Sequence, residues 1–225
     1  ASGGGERGRR LPFFEAASNG DAEIVSLLLE RGARADARAP DGLLPLHLAA
    51  RRGHAASTLV LLQAMPPGLS PDTEGGSRRR TPLHEAALSG SLETVALLLR
   101  AGADPSKADA FGQTPLHLLS FVDPARGGSI AAALVRAGAD LRAADARGFT
   151  PAHAAAASDD LPVLQVLLQA EARAPWRIDL VTPTKETALD VALRYGRDRA
   201  AEALLRERPY DEAGEYVPPL HDAAR

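Results

Sequence analysis

The run Thr81-Pro82-Leu83-His84-Glu85-Ala86-Ala87-Leu88-Ser89-Gly90-Ser91-Leu92-Glu93-Thr94-Val95-Ala96-Leu97-Leu98-Leu99-Arg100-Ala101-Gly102-Ala103-Asp104 decides the fold. Thr81 can cap a helix with its hydroxyl, and Pro82 then falls at the first helical position, where a missing N–H costs nothing. Gly90 ends that helix after about two turns. Ser91 caps a second helix, in which Leu92, Val95, Ala96 and Leu99 recur on one face, and Gly102 supplies a left-handed residue at its end. Two helices this short cannot bury their apolar faces alone, so the unit needs neighbours like itself.

Working outward, the Pro-Leu-His pattern places Phe14, His47, His84, His117, His153, Asp190 and His221 at one equivalent position, with spacings of 33, 37, 33, 36, 37 and 31. Thr-Pro-Leu-His occurs intact at 81–84 and 114–117, nearly so at 150–153, and Gly-Ala-Asp closes two units at 102–104 and 138–140. This combination resembles the ankyrin repeat, a turn plus two helices carrying Thr-Pro-Leu-His-x-Ala. The resemblance covers nearly the whole chain from Leu11 and implies an all-α ankyrin-repeat solenoid. Six helix-turn-helix repeats and a partial seventh are expected, joined by β-hairpin-like loops. The approximate boundaries are 11–39, 40–76, 77–109, 110–145, 146–182, 183–213 and 214–225, after a flexible N-terminal lead-in at 1–10.

Departures from the pattern mark particular units. The first has Leu11-Pro12-Phe13-Phe14 in place of the motif, as expected of a capping repeat. In the second, Pro66 to Ser77 replaces the Gly-Ala ending and lengthens the loop by about four residues. About three extra residues of the fourth, around Asp123 to Gly128, are expected in the turn between its helices. In the fifth, Pro162 falls in the first turn of a helix, where it is tolerated, and a long loop with Pro175 and Trp176 follows. Trp176 either pins that loop to the convex side or anchors a partner. Asp190 replaces the motif histidine in the sixth, and Pro218-Pro219-Leu220-His221 opens a seventh. The natural protein is expected to continue from there, or a shortened unit to form the cap.

Composition narrows the function. The chain has 225 residues, 45% of them hydrophobic but only 4% aromatic, which suits a core of closely packed short helices. A formal charge of −3 gives no global signal for nucleic acid or an anionic membrane. There is no cysteine, hence no disulfide, thiol nucleophile or Cys-ligated metal. No apolar run approaches the ~18 residues of a membrane span, and the first ten residues lack the apolar core of a secretory signal. An intracellular setting, cytoplasmic or nuclear, is expected. Two lysines stand against 24 arginines, which reads as GC-rich codon usage or, more sharply, as scarcity of ubiquitin acceptors.

Catalytic and metal signals fail on inspection. Five of the six histidines hold the motif position, one repeat apart, so they do not converge on one ion as zinc requires. The resemblance implies instead a structural hydrogen bond from each of these histidines to a neighbouring turn. His84-Glu85-Ala86-Ala87-Leu88 lacks the second histidine of a zinc-protease motif. No phosphate loop, nucleophile elbow or dinucleotide fingerprint is present. Asp159 and Asp160, adjacent at a predicted helix start, read as cap and dipole complement. The expectation is no enzyme, no catalytic residue, no cofactor and no metal.

What remains is a surface. In the resembled family, partners bind the concave side, formed by hairpin tips and the exposed face of each first helix. Carried over by position, the tip residues Leu43, Arg78, Arg80, Phe111, Gln113, Arg147 and Phe149 and the helix-face residues Arg51, Arg52, Glu85, Leu88, Ser89, Phe121 and Tyr195 are the candidate partner-binding set. Aromatic and arginine residues together are the composition of interface hot spots. Three bland readings stand beside it: Phe111 and Phe149 cover the next hairpin, Phe121 and Val122 are buried by the insertion, and Arg78-Arg79-Arg80 is an ordinary solvated tip. The expected function is a non-catalytic, monomeric protein-binding module. It would take a protein or peptide with acidic groups and no nucleic acid, without inserting into a membrane. Two alternatives are the recognition part of a larger adaptor, for example in ubiquitin-ligase recruitment, or a regulatory subunit, with its effector outside this segment, and a structural spacer.

Overall fold

The computed structural model describes residues 4–172 and 182–206. Six helical hairpins follow one another: α1 (Gly4–Asn19) with α2 (Ala22–Glu30), α3 (Pro45–Arg51) with α4 (Ala55–Gln63), α5 (Pro82–Ser89) with α6 (Leu92–Arg100), α7 (Pro115–Leu118) with α8 (Pro124–Arg136), α9 (Pro151–Ser158) with α10 (Leu161–Ala172), and α11 (Ala188–Arg194) with α12 (Asp198–Arg206). Among the described residues there is no strand, only an isolated bridge between Gly75 and Arg80 at one tip. The chain is an all-α solenoid. Trp176 and the seventh motif with His221 lie outside the described residues.

The odd-numbered helices stack into an inner layer and the even-numbered ones into an outer layer. Between them runs one continuous apolar cluster from Phe13 to Leu204. Alanine pairs on the inner helices (Ala49 and Ala50, Ala86 and Ala87, Ala155 and Ala156) are buried in it, and their small side chains let successive hairpins approach closely. Leu83 and Leu98 are fully buried. Truncating either to Ala removes packing worth about 2–5 kcal/mol.

Local chemistry explains the helix ends. α3, α5, α7 and α9 each begin with proline, directly after a residue held in an extended conformation. Gly90 closes α5 in the left-handed region at φ 72°, where a side chain is strained. Ser91 caps α6 by accepting the Thr94 N–H at 3.3 Å. The Thr81 hydroxyl, expected to cap α5 directly, lies 2.8 Å from His84 Nδ1 and donates to it.

Three expectations are corrected. First, the segment taken as a lead-in has helical backbone from Gly4, so Pro12 lies inside α1 and not at its start. The first unit has Leu11 where the third, fourth and fifth have the threonine before proline. Second, the buried residues of α6 are Thr94, Val95 and Leu98, while Leu92 is exposed. α6 packs against α4, α5 and α8, so its buried arc points into the angle between three helices. Third, the extra residues of the fourth unit do not lengthen a turn. They extend α8 at its N-terminus, with Pro124 in the first turn and the Asp123 carboxylate accepting the Ala125 N–H at 2.9 Å. Gly127 and Gly128 on this extension let α10 come close: a Cβ on Gly128 would stand 2.9 Å from the Pro162 side chain.

Candidate functional site

The motif histidines form a relay along the inner layer. Nδ1 of His47, His84, His117 and His153 accepts the backbone N–H of the residue three positions earlier, at 3.1 to 3.3 Å. In the last three the threonine hydroxyl also donates to Nδ1, at 2.8 to 2.9 Å. Nδ1 is therefore unprotonated, and Nε2–H donates across to the next tip, to the carbonyls of Arg80, Gln113, Phe149 and Glu186 at 2.9 to 3.1 Å. Burial pushes all four imidazoles below their ordinary value, His47 to about 4, so they are neutral. With both nitrogens engaged, each ring is a strut between repeats. Among the described residues no group of three metal-ligating side chains converges.

Asp190 keeps half of this role. One carboxylate oxygen accepts the Thr187 N–H at 2.8 Å and the hydroxyl at 2.7 Å, but an ionised carboxylate has no N–H to hand on. The sixth histidine, His54, works at the other end of the inner helices, where its Nε2–H donates to the Ser18 carbonyl at 3.0 Å. A Cβ on Gly20 would lie 2.6 Å from that ring.

The five hairpin tips share one register. The residue just before each motif, Leu43, Arg80, Gln113, Phe149 or Glu186, lies in the seam against a neighbouring tip, and the last four supply the carbonyls that the histidines hold. Two residues earlier come Asp41, Arg78, Phe111, Arg147 and Thr184, all at the exposed edge. The residue between, Gly42, Arg79, Gly112, Gly148 or Lys185, is always left-handed. Arg79 and Lys185 occupy that conformation at φ 51° and 60° without being glycine, a strained choice.

Two buried aspartates hold the tips in shape. Asp109 Oδ1 accepts the N–H groups of Phe111 and Gln113 at 2.8 and 3.0 Å, while its Oδ2 meets Arg80 Nε at 3.3 Å. Asp145 does the same for Arg147 and Phe149, at 2.8 and 2.9 Å, and also pairs with the Arg147 side chain at 3.0 Å. Burial raises the Asp145 carboxyl, but these N–H groups and the guanidinium outweigh it and hold it below its ordinary value. Neither aspartate was among the expected site residues. The recurrence of Asp-Ala-x-Gly at 109–112 and 145–148 is the signal that carried them.

The fourteen candidates separate accordingly. Leu43 and Phe149, only 2% and 8% exposed, are seam packing and not free anchors. Arg80 is likewise buried against Asp109, with 11% of its side chain exposed. Glu85 is buried and pairs with Arg51 at 2.8 Å, joining α5 to α3. Leu88, Ser89 and Gln113 are half-buried, Ser89 donating to the Ala86 carbonyl at 2.7 Å. Arg52, Arg78 and Arg147 are exposed, as are Phe111 at 51%, Phe121 at 72% and Tyr195. Arg147 lies over the Phe149 ring, Arg194 over Tyr195, and Arg78 over Phe111 with its guanidinium carbon 5.7 Å from the ring centre.

Tips and inner helices share a face. A cleft of about 270 Å³ is lined by the tip residues Asp41, Leu43, Gly75, Gly76, Ser77, Arg78 and Arg80 together with Arg51 and Glu85 from α3 and α5. Leu88 and Phe121 occupy in their units the position that Arg51 occupies in its own, so the same face continues past them.

Comparison with known proteins agrees with this architecture. A family model described as ankyrin repeats (3 copies) matches residues 13–109 and 125–213. Ankyrin repeat and SOCS box protein 11 of Danio rerio is 35% identical over 48% of this chain and 36% of its own length. Cyclin-dependent kinase 4 inhibitor B of Mus musculus is 34% identical over 46% of this chain and 76% of its own. Ankyrin repeat protein nuc-2 of Neurospora crassa is 39% identical over 44% of this chain and 9% of its own, so several of these relatives are far longer than the matched part. No helix among the described residues is long and apolar enough to cross a membrane. Ankyrin repeats are modules of protein–protein interaction, and with most of its length matched and the stacked hairpins in place, the chain belongs to the ankyrin repeat family.

Proposed function

We propose that this array is a non-catalytic, intracellular binding module that docks a partner polypeptide across the tip edges and inner-helix face of repeats two to five. The observation that carries the reading is the exposure of Phe111 and Phe121, 51% and 72%, on a face where a merely solvated repeat would place polar groups. Phe121, Phe111 and half-buried Leu88 supply apolar anchors. Arg78 and Arg52 supply charge, and Arg147, pinned by Asp145, presents a preorganised cation. Leu43, Phe149 and Arg80 support this face from within.

The test is quantitative binding of a partner recovered by affinity capture to the wild type, to Phe111→Ala with Phe121→Ala, and to Leu59→Ala on an outer helix. We expect a loss of at least about tenfold for the double variant and none for Leu59→Ala. Equal affinity for all three overturns the assignment of the face.

A second reading, the recognition part of a larger adaptor, is favoured by the match to a SOCS box protein of which the matched repeats form 36%. Sequencing the natural transcript on both sides of this segment tests it. An appended effector domain is expected, and a reading frame lacking one removes the adaptor reading.

A further inference from the structure

Numbered by their repeats, second to sixth, the tips are laddered by backbone hydrogen bonds, and among the described residues the ladder has one opening. Ala110 N–H donates to the Arg78 carbonyl, joining the third tip to the fourth, and Ala146 N–H donates to the Phe111 carbonyl, joining the fourth to the fifth, both at 2.8 Å. Between the fifth and sixth tips the equivalent donor is Pro183, which has no N–H, and its ring packs tightly on Gly148. Between the second and third tips the equivalent pair is Ser77 N–H and the Asp41 carbonyl. Both groups exist, yet they form no hydrogen bond with each other and none with any other described residue. The 270 Å³ cleft lies at this opening. Arg38 holds the two tips at a fixed spacing beside it, donating to the Gly42 and Glu74 carbonyls at 2.7 and 3.0 Å.

Most charges around the cleft cancel in pairs, which leaves one cation, Arg78, and one anion, Asp41, outside the ion pairs. Glu85 is neutralised by Arg51 at 2.8 Å and Asp109 by Arg80 at 3.3 Å. Arg79 pairs with Glu74 at 2.6 Å. Asp41 has one oxygen accepting the Leu43 N–H at 3.2 Å. Among the described residues the Arg78 guanidinium makes no ion pair and no hydrogen bond, and it lies over the Phe111 ring. An unpaired guanidinium and an unpaired backbone N–H on adjacent residues, lining one cleft, present donors to an anion.

Building on the docking surface described above, we propose that this opening is a socket for an acidic side chain of the bound partner. Its carboxylate takes the Arg78 guanidinium and the Ser77 N–H together. The aliphatic wall is Leu43, and the Phe111 ring lies against the Arg78 guanidinium. Asp41 at the rim sets the selectivity, since it repels a carboxylate that enters without approaching Arg78.

Titration of 15N-labelled protein with N-acetyl-glutamate N-methylamide, followed by amide chemical shifts, tests the socket without a known partner. The Ser77 and Arg78 amides are expected to shift saturably. Arg78→Gln weakens the dissociation constant about tenfold or more. Asp41→Asn tightens it about twofold, and Arg100→Gln, exposed at the end of the outer helix α6, leaves it unchanged. The same shifts with the capped glutamine analogue, or no shift at all, overturn the proposal. Inorganic phosphate moving the same amides at lower concentration than the capped glutamate also overturns it, in favour of a phosphorylated segment. Failure is separable from that of the docking surface. A Phe111/Phe121 variant that loses its partner while wild type ignores capped glutamate keeps the surface and removes the socket, whereas the opposite pair of results keeps the socket and removes the surface.

Discussion

The third and fourth repeats begin alike and end differently. Both open with Thr-Pro-Leu-His, and both histidines grip the threonine behind them and the carbonyl of the following tip with nearly the same distances. In the third, α5 runs eight residues and Gly90 turns the chain through the left-handed region. The equivalent residue of the fourth is Asp123. Asp159, at this position in the fifth, does go left-handed at φ 59°, so aspartate alone is no obstacle. The obstacle is Pro124, because a residue before proline is driven to extended conformations. Asp123 accordingly sits at φ −55°, ψ 123°, α7 stops after four residues, and the chain leaves through a 3-10 turn, Leu119–Phe121. Phe121 is thereby left 72% exposed where Leu88 of the third repeat is half-buried. A motif sets where a helix starts, and the residue that ends it decides what meets a partner.

Acid offers the largest perturbation, and it strikes what the two repeats share. The folded-state values of His47, His84, His117 and His153 are depressed, so their stabilisation is complete above the unfolded value of about 6.5 and is lost as pH falls below it. For His47, with a folded value of about 4, the loss reaches about 3 kcal/mol below pH 4. Urea unfolding at pH 7, 5.5 and 4.5 is expected to show a falling midpoint. A flat midpoint would mean the rings are not neutral struts.

Next in size are His84→Ala and His117→Ala, each leaving a buried carbonyl and a threonine hydroxyl without a partner. The cost is about 3 kcal/mol for each, equal within error despite the different helices that follow. A clear inequality in urea melts would show that the helix ending feeds back on the relay.

Gly90→Ala and Asp123→Ala should separate the repeats. At Gly90 a Cβ is strained by φ 72° and would stand 3.0 Å from the Arg126 side chain, costing about 1–2 kcal/mol. Asp123→Ala loses one N-cap hydrogen bond, about 1 kcal/mol. Both values are readable by thermal unfolding.

The smallest effect is expected of Phe121→Ala, within about 0.5 kcal/mol in stability, because the ring is mostly in water. The bland reading, in which the insertion buries Phe121, requires several kcal/mol, so the same melt decides between them.

Much of this architecture was legible because its signals act over three or four residues. Proline at a first turn, threonine before it, histidine after it and glycine beyond it each constrain the backbone where they stand. Placement of the candidate surface was less legible. Leu43, Arg80 and Phe149 were read as contacts beside Arg78 and Phe111, yet they face the seam. Consecutive positions on a tip point to different sides, and no local feature says which side another hairpin will cover. The α8 extension was misread for a related reason: Asp123-Pro124 is both a turn signal and a helix-start signal.

By itself the sequence determined the repeat, its period and its two helices, since each follows from covalent geometry and short-range hydrogen bonding; the histidine link from one unit to the next was implied only by the family resemblance, because it joins residues far apart in the chain. The tertiary structure alone decided that Asp109 would clamp two tips, that Ser77 would keep a free N–H, and which aromatic rings would remain in water. These depend on how closely one stacked hairpin approaches another, a distance set by the packing of the whole array.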